Sequence, residues 1–111
     1  MQDTLRVFKA DFFKALANPV RIKILELLRG GERSVTELQD LLGIDTSSVS
    51  QNLSILRGKK IVAGRKVGTT VFYSVSDPDV FALLDVARRI FNNQLADTRS
   101  TLEQLNEESE A

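Results

Sequence analysis

Leu42-Gly43-Ile44-Asp45-Thr46-Ser47-Ser48-Val49-Ser50-Gln51-Asn52-Leu53-Ser54-Ile55-Leu56-Arg57 joins one short helix to another through a glycine turn. Its second half carries four serines, a threonine, a glutamine and an asparagine, where stability alone favours alanine, leucine, glutamate or lysine. With Val49 at 0° on a wheel of about 100° per residue, Leu53 and Leu56 fall within roughly 40° of it, and Ser47, Gln51 and Ser54 lie opposite. One face is core. The other is short, neutral and able both to donate and to accept hydrogen bonds. A helix that only faced water would use Glu and Lys in i,i+4 pairs instead. Small polar side chains suit base edges and phosphate oxygens.

Upstream, Ser34-Val35-Thr36-Glu37 has the S-x-x-E form of a capping box, and Leu38, Leu41 and Leu42 give a two-turn helix its apolar face before Gly43 stops it. Asp45 is the expected N-cap of the next helix. Two short helices across such a turn make a helix-turn-helix, here residues 34–57. Further upstream, Asn18-Pro19 pairs a capping side chain with proline at the first helical position. Val20, Ile24, Leu27 and Leu28, widened by Ile22 and Leu25, mark a central core helix that Gly30-Gly31 ends. Arg21 and Lys23 point elsewhere, Arg21 toward a solvated or salt-bridged role or a phosphate. Leu5, Phe8, Phe12, Phe13 and Leu16 recur at helical spacing over residues 3–16.

Downstream, Ile61–Val67 and Thr70–Val75 are rich in β-branched and aromatic residues and are separated by Gly68-Thr69, which reads as a hairpin within residues 61–76. A lone hairpin is marginal, so this one should lean on the helices through Val71, Tyr73 and Val75. Asp77-Pro78 then opens the longest periodic segment, residues 77–105. Its apolar face is Phe81, Leu84, Ala87, Phe91 and Leu95, with Leu102 and Leu105 continuing it weakly. Residues 106–111 read as a frayed acidic tail. The expected order is α-α-α-α-β-β-α in one domain of residues 1–111, mainly α with a small β-hairpin, the α+β arrangement of a winged helix-turn-helix.

Composition narrows the chemistry. The 111 residues hold 15 basic and 15 acidic side chains, yet residues 45–75 carry Arg57, Lys59, Lys60, Arg65 and Lys66 against Asp45 alone. Residues 77–111 carry eight acids against Arg88, Arg89 and Arg99. One region is cationic and the end of the chain anionic. Without cysteine there is no disulfide, thiolate metal site or thiol switch, and without histidine the commonest general base and metal ligand are missing. No Gly-rich phosphate loop or paired-carboxylate motif is present, so an enzyme is not expected, nor is a catalytic residue or a cofactor. No apolar run approaches a membrane span and no signal-peptide pattern is seen, so a cytoplasmic protein is expected.

Four separated stretches, Leu16-Ala17-Asn18-Pro19-Val20-Arg21-Ile22-Lys23-Ile24-Leu25, Val35-Thr36-Glu37-Leu38, Ser48–Arg57 and Arg65–Tyr73, resemble in words and order the ArsR/SmtB family of bacterial transcriptional repressors. The resemblance covers roughly residues 12–75. It implies a homodimer on an inverted-repeat operator of double-stranded DNA, with the helix around residues 46–57 in the major groove and the hairpin as a wing beside it. On that view Ser47, Ser48, Ser50, Gln51 and Ser54 read bases, and Gln51 is the candidate for a two-point contact to adenine. Thr46, Arg57, Lys59, Lys60, Arg65, Lys66, Gly68 and Thr69 hold the backbone. Leu5, Phe8 and Phe12 with Phe81, Leu84, Ala87, Phe91 and Leu95 form the dimer interface of two terminal helices, residues 1–16 and 77–105.

Asn52 stands where the family usually has histidine, and Lys59-Lys60 where it has a small residue and glycine. The family's metal ligands are also missing: the third helix reads Glu37-Leu38-Gln39-Asp40-Leu41-Leu42, and Asp77, Asp79 and Asp85 serve better as caps and surface charges than as a hard oxygen site. No metal site is therefore expected, and any effector would be a small molecule or a protein. The alternative reading is a winged-helix protein-interaction module without specific DNA binding.

Overall fold

A computed structural model describes residues 2–110, which divide between Pro78 and Asp79 into two compact units. The first unit runs α1 (Gln2–Leu16), α2 (Pro19–Leu28), β1 (Arg33–Ser34), α3 (Val35–Leu42), α4 (Thr46–Gly58), β2 (Val62–Val67) and β3 (Thr70–Val75); the second is α5 (Asp79–Glu110). No helix among the described residues is long and apolar enough to cross a membrane.

Local signals place the helices. Asn18 caps α2 by accepting from the N–H groups of Val20 and Arg21 at 2.9 and 3.2 Å. At α3 the capping box is reciprocal: Ser34 Oγ accepts from Glu37 N–H at 3.2 Å, and Glu37 Oε1 accepts from Ser34 N–H at 3.3 Å. Gly43 ends α3 in the left-handed region, φ 68°, where a side chain would be strained. The core forms from Ile24, Leu25 and Leu28 of α2, Leu38 of α3, Val49, Leu53 and Leu56 of α4, and Ile61 and Val62 at the start of the wing. In α2, Val20, Ile22 and Leu27 are only half-buried, so burial centres on Leu25 and its neighbours rather than on the Val20–Leu27 side.

The wing differs from a plain hairpin. It is a three-stranded antiparallel sheet of order β1-β3-β2, with Arg33 opposite Tyr73, Ser34 opposite Phe72, and Val62 to Val67 opposite Val75 to Thr70. The added strand is two residues long and doubles as the cap of α3, so it has no periodicity of its own to reveal it. It makes β3 the central strand. Val71, Tyr73 and Val75 are half-buried as expected, but so are Ser74 and Phe72 on the other face, where the Arg65 guanidinium lies over the Phe72 ring.

α5 is 32 residues long. It runs through residues 106–110, where a frayed tail was expected; Ala111 lies outside the described residues. Glutamates are good helix formers, and the hydroxyls of Thr98, Thr101 and Ser109 donate to the carbonyls four residues back at 2.9–3.0 Å, so these polar residues do not break the helix.

Candidate nucleic-acid interface

The N-terminus of α4 is built by Asp45. Its carboxylate accepts from the Ser48 N–H at 3.0 Å and from the Ser48 hydroxyl at 2.7 Å. The Ser48 hydroxyl and then its backbone N–H hold the Asp45 carboxyl below its ordinary range. Ser48, expected to read bases, is thus half-buried and engaged in the cap. Thr46, expected at the backbone, donates its hydroxyl to Gln39 Oε1 at 2.6 Å and so braces α4 against α3.

The remaining reading candidates stay available. Ser47, Ser50, Gln51 and Ser54 are exposed, and their side chains make no hydrogen bond among the described residues. Val49, Leu53 and Leu56 at 0–1% exposure seat the opposite face, so the polar face points out of the core by construction. Ile55 lies beside Gln51 on the outward side at 40% exposure, an apolar residue that composition alone did not single out.

α4 closes with a Schellman arrangement: the Lys60 N–H donates to the Arg57 carbonyl at 2.9 Å and the Ile61 N–H to the Leu56 carbonyl at 3.0 Å. Lys60 therefore occupies the left-handed position, φ 60°, where glycine is usual. This explains the glycine of the family pattern and exposes a lysine in its place.

Of the five cations expected at the backbone, Arg57, Lys60 and Lys66 are exposed, while two have acidic partners. Lys59 Nζ is 3.8 Å from Asp11 of α1. Arg65 on β2 forms a two-point pair with Glu32, Nε to Oε2 at 3.0 Å and Nη2 to Oε1 at 2.8 Å, with its guanidinium 5.7 Å from the Phe72 ring centroid. Neither acid was singled out by the sequence, because each meets its cation only across distant segments. Gly68, φ 62°, and Thr69 form the exposed turn of the wing, as expected.

The Arg65 hydrogen bonds lower the Glu32 pKa, so the carboxylate keeps its partner above the ordinary value of 4.5 and loses it as pH falls through the depressed folded value. At neutral pH Glu32 competes with any phosphate for Arg65. Glu32→Gln is therefore expected to raise duplex affinity and steepen its logarithmic salt slope by about one unit. Fluorescence anisotropy across a salt series measures both.

The expected dimer residues divide by exposure. On α1, Leu5 and Phe8 are 58% and 70% exposed, and Phe12 is half-buried with its ring edge-on to Phe13. On α5, Phe81, Leu84 and Ala87 are half-buried, whereas Phe91 and Leu95 are 59% and 68% exposed.

Comparison with known proteins agrees with this geometry. Residues 18–63 match the model of the bacterial regulatory protein, arsR family. The HTH-type transcriptional regulator Rv0081 of Mycobacterium tuberculosis is 44% identical over 104 residues, 93% of this chain and 91% of that one. Its crystal structure superposes with a TM-score of 0.78 over 84% of this chain and 94% of that one, at 46% identity. The homodimeric winged helix-turn-helix DNA-binding domain of Mb0332 from Mycobacterium bovis, solved by NMR, gives 0.77 at 32% identity over 85% and 87%. The transcriptional repressor BigR from Xylella fastidiosa gives 0.72 at 31% over 81% and 92%. These relatives are regulators rather than enzymes. With a capped helix-turn-helix, a sheet wing and a relative this similar along nearly its whole length, the chain belongs to the arsR family and is a DNA-binding transcriptional regulator.

Proposed function

We propose that this regulator is a homodimeric repressor that occupies a near-palindromic operator, with α4 of each subunit in the major groove and the β2–β3 turn as a wing at the adjacent backbone. The observation that carries the reading is the outward face of α4. Ser47, Ser50, Gln51 and Ser54 are exposed and make no side-chain hydrogen bond among the described residues, and the exposed cations Arg57, Lys60 and Lys66 flank them. Pairing of subunits is supported by the exposed apolar residues Leu5, Phe8, Phe91 and Leu95, and by the homodimeric state named for the Mb0332 domain. Two reading helices then enter grooves about 34 Å apart. The repressor sense follows the resemblance and the function named for BigR. Lacking cysteine and histidine, the chain would respond neither to thiol oxidation nor to transition metals at thiolate or imidazole sites.

Selection of bound genomic fragments tests the reading. Paired half-sites centred one helical turn apart support it; no specific duplex binding at any salt would leave a winged-helix interaction module instead. A promoter fusion that brightened with the protein would overturn the repressor sense, and stoichiometric transition metal in elemental analysis would overturn metal independence. Lys66→Ala is expected to weaken all duplexes alike and flatten the salt slope by about one unit, without altering base preference.

A further inference from the structure

Arg21 joins three helices. From the first turn of α2 its guanidinium donates through Nε to the Ala15 carbonyl at 2.6 Å and through Nη2 to the Lys14 carbonyl at 3.3 Å, both in the last turn of α1. The end of a helix leaves carbonyls with spare acceptor capacity, that of Lys14 also accepting from the Ala17 N–H at 3.1 Å, and a cation there suits the helix dipole. The remaining arm, Nη1, donates to Asn52 Oδ1 at 3.0 Å, across 31 residues of sequence. Asn52 in turn donates from Nδ2 to the Ser48 carbonyl of its own helix at 2.8 Å. Both ends of the amide are thus engaged within the protein. Asn52 is half-buried, at the boundary between the core stripe of α4 and its outward face.

We propose that Asn52 is a positioning residue for operator reading: held by Arg21, it fixes the rotation of α4 against α1 and α2 and contacts no base itself. The inference rests on α4 being the reading element. Val49, Leu53 and Leu56 hold α4 in the core, but apolar burial has no direction and resists small rotations weakly. A helix with side chains has a radius of about 5–6 Å, so a rotation of about 10° moves a tip such as Gln51 by about 1 Å. A shift of that size spoils a two-point hydrogen bond to a base. The fork of Arg21 supplies a directional stop, which a lysine at the same place would not.

The full-length chain is measured against its selected operator and a scrambled duplex at one salt concentration, with the fold of each variant checked by circular dichroism. Asn52→Leu, similar in size and unable to hydrogen-bond, is expected to lower operator affinity about tenfold, the weight of one good base contact, with preference relaxed only where Gln51→Ala relaxes it and scrambled-duplex affinity unchanged. Asn52→Asp keeps an oxygen facing Arg21 but loses the donor to the Ser48 carbonyl and adds a negative charge, so it is expected to weaken both duplexes while recovering most of the operator-to-scrambled ratio. Arg21→Lys should reproduce the Asn52→Leu phenotype, and the double variant should lose no more than the worse single one. If Asn52→Leu does not fold, Arg21→Lys with Asn52→Asp makes the same comparison. An operator-to-scrambled ratio unchanged in Asn52→Leu, or in Arg21→Lys where that variant stands in, overturns the proposal, as do additive losses. A changed preference at a base pair that Gln51→Ala leaves untouched would make Asn52 a direct reader and also overturn it. Absence of any operator preference in the unaltered chain would instead remove the reading on which the proposal rests.

Discussion

Leu53→Ala is expected to lower the free energy of unfolding by about 2–5 kcal/mol, because a fully buried leucine loses both its transfer energy and the packing around the cavity it leaves. Leu53 is 1% exposed. Its helix is unusually dependent on it: with Thr46, Ser47, Ser48, Ser50 and Asn52 among thirteen residues, α4 has little intrinsic helicity and is held mainly by Val49, Leu53 and Leu56. The thermal midpoint should fall by on the order of 10 °C, read by circular dichroism at one protein concentration so that subunit association is held constant. Ser54→Ala, one residue away on the outward face, should change stability by no more than about 0.5 kcal/mol. Similar midpoints for the two variants would show that the apolar stripe does not anchor the helix.

The second large effect concerns Gln51. Its side chain is exposed, bonded to no other described residue, and lies opposite the core stripe; on the proposed reading it meets the N6 and N7 edge of adenine with two hydrogen bonds. Gln51→Ala is expected to cost about 1–3 kcal/mol per half-site against the preferred operator and almost nothing against a scrambled duplex. Competition between operators changed at single base pairs should then show relaxed preference at one position per half-site. If the preference profile is the same as that of the unaltered protein, Gln51 does not read.

The parts of the fold that the sequence disclosed are those whose causes are local. Asn18-Pro19, the Ser34 to Glu37 capping box, Gly43 and Asp45 act within four residues of themselves, and each sits in the structure where its pattern indicated. The short strand at Arg33–Ser34 was hidden because only its pairing with Tyr73 and Phe72 makes it a strand. The candidate site shows the same division. Periodicity separated the outward face of α4 from its core stripe, but side-chain type could not tell which polar groups were already occupied. Ser48 serves Asp45, Thr46 serves Gln39, and Arg65 serves Glu32, the last across 33 residues. Asn52 lies near the core boundary on the helical wheel, a place suited to holding the helix rather than reading bases, but its partner Arg21, 31 residues away, is visible only once the chain is folded.

Lys60 makes durability and grip opposed quantities at one backbone position. A side chain held at φ 60° costs about 1 kcal/mol relative to glycine, so any campaign to make this protein more heat-resistant would find Lys60→Gly early. By the proposed reading that same exchange deletes a cation at the edge of the duplex contact. The tougher molecule would be the slower and weaker operator binder, most visibly at low salt where charge steers encounter.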